Sequence, residues 1–201
     1  MFKVNDLVCE RNGRVLFRDL AFSLNSGDIL HVQGSNGVGK SSLLRILCGL
    51  LEPAAGSVLW NNQDIYQDSS TFTANVGYLG HKLGLKSQLT VLENLRLFAQ
   101  APSEHEERTW LSQFDVLDVK HQRVETLSAG QQQRVALARL LARKARLWLL
   151  DEPFTAIDQQ GSRALEQVML RHQQSGGMII FTSHQDVQLP GASVRLIGLH
   201  A

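Results

Sequence analysis

The stretch Gly34-Ser35-Asn36-Gly37-Val38-Gly39-Lys40-Ser41 fits the pattern GxxxxGK[ST] and joins two apolar segments of different period. Upstream, Ile29 to Gln33 reads as a buried strand; downstream, Lys40 to Leu50 reads as a helix. A strand, a glycine loop and a helix in that order wrap phosphate groups. The glycines let successive backbone N–H groups turn inward, and the helix N-terminus adds partial positive charge. Lys40 is then expected to reach the β- and γ-phosphates as a point charge, and the Ser41 hydroxyl to ligate Mg²⁺. The expected phosphate cradle runs through Gly34, Ser35, Asn36, Gly37, Val38, Gly39, Lys40, Ser41 and Ser42.

A metal held by one serine needs an acid opposite it. Leu147-Trp148-Leu149-Leu150-Asp151-Glu152 supplies one, as four apolar residues of a buried strand ending in two carboxylates. The carboxyl ends of strands are where α/β sheets place their sites. Asp151 is assigned to Mg²⁺ through its water shell, and Glu152 to the attacking water as general base. The absence of an NKxD sequence favours adenine over guanine.

Around these segments the chain alternates between two periods. Phe2, Val4, Leu7, then Val15, Phe17, Leu20, Phe22 and Leu24 suggest antiparallel strands turning at Asn12-Gly13. From about Leu83 to Lys144 the period is helical: Thr90 caps a segment with Val91, Leu92, Leu95 and Phe98 on one face, and helices are expected over Glu104–Phe114 and Ala129–Arg143. Strands return at Leu147–Leu150 and Met178–Phe181, with a helix from about Ser162 to Gln174 between them. The expected architecture is a single α/β domain over 1–201. Its core occupies 1–82 and 145–201, with an N-terminal antiparallel β subdomain, and a helical subdomain is inserted at 83–144.

Composition narrows the function classes. In 201 residues, 20 Lys and Arg stand against 19 Asp and Glu, so no global field favours nucleic acid. A hydrophobic fraction of 43% can fill a core and excludes a disordered reading. No apolar run approaches the roughly 18–20 residues that span a bilayer, and the charged opening MFKVNDLVCERNG lacks a signal-peptide core, so a cytosolic chain is expected. Cys9 and Cys48 are too few for a disulfide framework and are expected as buried thiols.

Leu127-Ser128-Ala129-Gly130-Gln131 opens a helix rich in Arg and Ala, and Ser128 stands 23 residues before Asp151. Taken alone, the pentapeptide also reads as a serine helix cap. Followed by Thr155-Ala156-Ile157-Asp158 and by His184 after a strand, it resembles the signature motif of the ATP-binding cassette ATPases, with Ala129 where glycine is commoner. The resemblance covers essentially the whole chain. It implies the P-loop NTPase core of that family, ATP and Mg²⁺ as ligands, and a homodimer that sandwiches ATP between one subunit's P-loop and the facing subunit's signature. In that frame Ser128, Gly130 and Gln131 face a γ-phosphate, Thr155 to Asp158 form the D-loop, and His184 is the switch histidine, catalytic together with Glu152 and Lys40.

Within the family the chain is similar to the ATPase subunits of the bacterial cytochrome c maturation system. The grounds are Cys9-Glu10-Arg11 before Gly13 and Phe17, Gly34-Ser35-Asn36-Gly37, Gly80-His81 before Gly84-Leu85-Lys86, Leu89 to Leu95, and Asp151-Glu152-Pro153-Phe154-Thr155-Ala156-Ile157-Asp158. That resemblance implies a peripheral protein on the cytoplasmic face of the inner membrane, docked on integral CcmB-like and CcmC-like subunits that handle haem. Cassettes for another cargo, and cytosolic cassettes outside transport, remain the alternatives. The seven histidines show no haem spacing, so no haem site is expected on this chain.

Two positions depart from the family pattern. Arg11, 23 positions before Gly34, stands where most cassettes stack an aromatic on adenine; a guanidinium can also stack on a flat π system. His81 stands where a glutamine usually links the metal and γ-phosphate to the helical subdomain, and it reads equally well as a surface histidine.

Overall fold

A computed structural model describes residues 1–67, 69–99, 101–184, 187 and 189–199. The opening alternation folds as an antiparallel pair, β1 (Phe2–Arg11) and β2 (Arg14–Leu24), with Arg11 opposite Arg14. Asn12 and Gly13 both take positive φ, 53° and 74°, the two-residue turn that matches strand twist. β4 (Ala55–Trp60) adds to the other side of β1, and the short β5 (Gln63–Asp64) completes a four-stranded sheet in the order β2-β1-β4-β5.

The second sheet is parallel throughout. β3 (Ile29–Gln33), β6 (Val76–Leu79), β7 (Leu147–Leu150), β8 (Met178–Thr182) and β9 (Val194–Gly198) lie in the order β6-β7-β8-β3-β9. Its inner strands β3, β7 and β8 are buried and mainly apolar on both faces, as a sheet covered on two sides requires, and their period of two divides the interior. Leu147, Leu149, Met178, Ile180, Leu30 and Val32 face one core with the antiparallel sheet and α1 (Lys40–Leu47). Trp148, Leu150, Ile179, Phe181 and Ile29 face the other, with α5 (Ala129–Ala142) and α6 (Gln159–Gln174). Each fully buried Leu, Ile or Phe contributes roughly 1.5–3 kcal/mol to this packing.

Between β6 and β7 lie α3 (Val91–Arg96), α4 (Glu104–Gln113), a 3-10 turn at Val124–Thr126 and α5. Thr90, Ser103 and Ser128 each open a helix with a reciprocal capping box, to Glu93, Glu106 and Gln131 respectively. The interior of this helical stretch, Val91, Leu95, Leu111 and Val135, is continuous with Trp148 and Phe181 of the sheet. No helix among the described residues is long and apolar enough to cross a membrane.

Several boundaries differ from the sequence expectation. α1 ends at Leu47 rather than Leu50, because Cys48 leaves helical geometry and Gly49 takes φ 77°. α3 stops at Arg96, so Phe98 lies beyond it and packs instead under Arg139, 4.7 Å from the ring centroid. α6 begins at Gln159 because Asp158 accepts the Gly161 N–H at 2.8 Å and sets the cap. The strands β4, β5, β6 and β9 and helix α2 (Ser69–Asn75) were not read from the sequence. Cys9 is buried, Cys48 is half-buried, and both are free thiols.

Candidate nucleotide site

Loop 34–39 leaves the carboxyl end of β3 and enters α1 at Gly39, whose φ of 113° is open only to glycine. A Cβ there would stand 3.1 Å from Leu16 Cβ and from the Phe17 ring, so the β1–β2 hairpin clamps the loop from outside. α1 has no side-chain cap. Its first-turn N–H groups are therefore offered to an anion, with the helix dipole behind them. Lys40 is buried, and its ammonium donates to the loop carbonyls of Gly34 at 2.8 Å and Ser35 at 3.3 Å. Ser41 is exposed and Ser42 half-buried on the same turn, while Val38 packs inward.

Beside this loop is a cavity of about 150 Å³ lined by Ser35, Asn36, Gly37, Val38, Leu16 and Arg14. Arg11 is exposed at the end of β1 and is not among those residues. Arg14, its partner across the turn, is the arginine that lines this cavity.

The acidic strand end lies two strands away. Asp151 is buried; its N–H donates to Leu79 O at 2.7 Å, and its Oδ1 accepts from the Thr182 hydroxyl at 2.9 Å. The same Thr182 oxygen accepts the Glu152 N–H at 2.9 Å. Glu152 is held in the left-handed region at φ 51°, a conformation that costs of order 1–3 kcal/mol and turns its side chain off the strand direction. Its carboxylate meets His184: Oε2 accepts the His184 N–H at 3.3 Å, and Oε1 lies 3.2 Å from Nε2. The two residues that the sequence assigned separately, one as base and one as switch, are therefore adjacent. His81 is exposed in the turn that follows β6, whose last residue Leu79 pairs with Leu150 beside Asp151.

Among the described residues no cluster of three His, Cys, Asp or Glu side chains could hold a metal. One buried carboxylate and a serine hydroxyl nonetheless fit Mg²⁺, which keeps several waters and takes its remaining ligands from phosphates. When bound, the ion would offset phosphate charge at Ser41 and Asp151.

The signature pentapeptide forms the start of α5. Ser128 Oγ accepts the Gln131 N–H at 3.2 Å, and the Gln131 side chain accepts the Ser128 N–H at 3.0 Å. The cap uses the serine oxygen as acceptor and leaves its hydroxyl proton able to donate outward. Gly130 is pinned against the D-loop, since a Cβ would sit 3.0 Å from Ala156 O. Ser128, Gly130, Gln131, Ala156 and Asp158 help to line an open cavity of about 450 Å³ that shares no residue with the one beside the P-loop.

Three contributing side chains escaped the sequence reading. Arg134, one turn past the signature, clasps both Asp158 oxygens at 2.6 and 2.7 Å and reaches Asp115 at 3.4 Å, tying α5 to the D-loop and to the end of α4. The Gly161 N–H, and after it Arg134, hold the Asp158 carboxyl below its usual range. Buried Arg139 grips the carbonyls of Leu83 and Gly84 just beyond His81, and burial lowers its pKa to about 10. Thr182 is the third. The available signals were an arginine six residues after Ser128, a second five residues on in an apolar helix, and a threonine ending an apolar strand.

A phosphate loop, a buried aspartate with its neighbouring glutamate, and a histidine on the next strand's exit define the site of a P-loop ATPase. The family model for the ABC transporter matches residues 17–155, and the chain belongs to that family as an ATP-binding, ATP-hydrolysing subunit. It is 44% identical over 199 residues to the cytochrome c biogenesis ATP-binding export protein CcmA of Escherichia coli O157:H7, covering 99% of this chain and 96% of that protein. The CcmA protein of Shigella dysenteriae serotype 1 matches at the same identity and coverage. Among solved structures, the ATP-binding subunit of an ABC transporter superposes with a TM-score of 0.84 at 26% identity, over 92% of this chain and 79% of that one.

Proposed function

We propose that this chain is the ATPase of a cytochrome c maturation system. It would act as a homodimer on the cytoplasmic face of the bacterial inner membrane, driving CcmB-like and CcmC-like integral subunits that handle haem. The observation that carries the dimer is the separation of two half-sites in one chain. The P-loop lines one cavity, and the signature end of α5 lines another with no residue in common. A second copy related by a two-fold axis brings each signature to the other copy's P-loop.

In the closed pair, Lys40 and the α1 N-terminus hold the phosphates, and the Ser128 hydroxyl and Gly130 N–H of the facing copy complete the cradle. Glu152 takes the proton of the attacking water while His184, against the same carboxylate, orients it. Loss of the γ-phosphate removes the link between copies, and the halves separate. A groove of about 360 Å³ between β6 and α5, lined by Tyr78, Leu83, Phe98, Arg139 and Arg143, supports docking of a membrane subunit. The Arg139 guanidinium donates to the Gly84 carbonyl in the loop after His81, so pressure on the groove reaches the site.

Glu152→Gln with ATP tests the reading by light scattering. A stable dimer that dissociates on adding Ser128→Arg is expected; a monomer at saturating ATP removes the sandwich. Affinity purification from membranes that co-isolates CcmB-like and CcmC-like subunits is expected, and recovery of a different permease would reassign the cargo.

A further inference from the structure

A cavity of about 630 Å³ opens at the amino-terminal edge of the parallel sheet, opposite the edge that carries Lys40 and Asp151. Its position follows from Ala145 and Arg146, which precede β7, and from Gly176 to Met178, which open β8. The volume lies within the roughly 300–1,000 Å³ of small-ligand pockets. Three parts of the molecule meet there: α4 through Thr109 and Gln113, α6 through Val168 and Arg171, and the antiparallel sheet through Trp60.

The lining divides into an apolar floor and a basic rim. Trp148 and His172 stack with centroids 3.8 Å apart and planes within 4°, and Trp60, Leu141 and Met178 extend that surface. Burial lowers the His172 pKa to about 4, so the plate is uncharged at neutral pH. Lys144, Arg146 and Arg171 are exposed around it, and among the described residues no Asp or Glu lines it. Lys144 pairs outward with Glu106, but among the described residues Arg171 meets the neutral amide of Gln113, through Nη2 at 2.5 Å. Like charges gathered without a lining acid, over aromatic rings, match an anion with an apolar ring.

We propose that this cavity binds a small aromatic carboxylate, its ring against the Trp60, Trp148 and His172 surface and its carboxylate on Arg146 and Arg171. The ligand would bridge α4, α6 and the antiparallel sheet without touching the nucleotide site. Neither the family nor the proposed transport role requires it.

The test titrates the whole protein with 1-naphthoate by calorimetry and tryptophan fluorescence, with the neutral isostere 1-naphthamide alongside. Saturable binding of naphthoate at least about tenfold tighter than the amide is expected, because charge-assisted hydrogen bonds contribute on that scale. Arg146→Gln and Arg171→Gln should each weaken it several-fold with unchanged circular dichroism, and saturating MgATP should leave it unaltered. Equal affinity for acid and amide, indifference to both arginine variants, competition by MgATP, or no saturation at millimolar naphthoate would each overturn the assignment.

Discussion

The two edges of the parallel sheet are built to opposite rules. At the carboxyl edge, charged groups are held by partners: Lys40 on the loop carbonyls, Asp151 on Thr182 and Glu152 through Oε2 on the His184 N–H, with Glu152 at a positive φ. At the amino edge, Trp148 and His172 close the sheet as a neutral stack, and their Nε1 and Nε2 atoms lie buried without hydrogen-bond partners. The first edge holds charge in position for a reaction; the second gives up hydrogen bonds to packing. Changes at the first should therefore alter catalysis more than stability, and changes at the second should do the reverse.

The widest expected effect is at Glu152. Glu152→Gln keeps the shape and the Thr182 bond to its N–H but removes the base, so single-turnover ATP hydrolysis should fall by about 10²–10⁴ while ATP affinity stays near that of the parent. A melting temperature lowered far enough to account for the lost rate by unfolding would erase the contrast between the edges. Lys40→Ala comes next. Removing a charged donor from phosphate should weaken ATP binding by about ten- to a hundredfold in equilibrium titration, with the fold retained.

The legibility of these sites divides along the same lines. The P-loop is legible within one segment, whereas the Asp151-Glu152 strand end and the signature, though each a contiguous run, are legible only through their order with the other motifs. Arg134 and Thr182 act across the chain: Arg134 meets a residue 24 positions on, and Thr182 one 31 positions back. No local period encodes such pairings. β6 was missed because Val76-Gly77-Tyr78-Leu79 is only four residues long with a glycine inside, and β9 because Leu196 points outward from an edge strand and blurs the apolar run. Arg11 stands, by its distance from Gly34, where most cassettes stack an aromatic on adenine; it is exposed at the end of β1, and its cross-turn partner Arg14 lines the cavity beside the loop.

At the amino edge the contrast can be sharpened with pH alone. The folded-state pKa of His172, about 4, lies below its ordinary 6.5, so as pH falls the unfolded chain takes up the proton first. The stability held by neutral His172 is present above pH 6.5 and is lost between 6.5 and 4, amounting to about 2 kcal/mol between pH 7 and pH 5. Urea unfolding at both pH values should show that loss in the parent and a smaller one in His172→Gln, with hydrolysis per folded molecule at pH 7 unchanged. Equal pH dependence in the two proteins would mean that the stack opens to water.

The smallest expected change is at Thr182, where the rule for the carboxyl edge meets its limit, because one fully buried hydroxyl serves both packing and chemistry. It donates to Asp151 and accepts from Glu152, so it fixes the proposed metal ligand and the proposed base through a single atom. Thr182→Ser keeps that atom and removes a methyl; Thr182→Val keeps the volume and removes the atom. Each should cost roughly 1 kcal/mol in urea unfolding, from a lost methyl in the first case and unmatched hydrogen bonds in the second. The ATPase should separate them. Thr182→Ser should hydrolyse near the parent rate, whereas Thr182→Val should need more Mg²⁺ for half-maximal activity, because Asp151 loses the donor that aims it. The Mg²⁺ requirement is the informative readout, since simple destabilisation would lower activity in both variants without moving it. An unchanged Mg²⁺ midpoint in Thr182→Val would leave Thr182 as packing alone, and Asp151 would then owe its orientation to the backbone bond at Leu79.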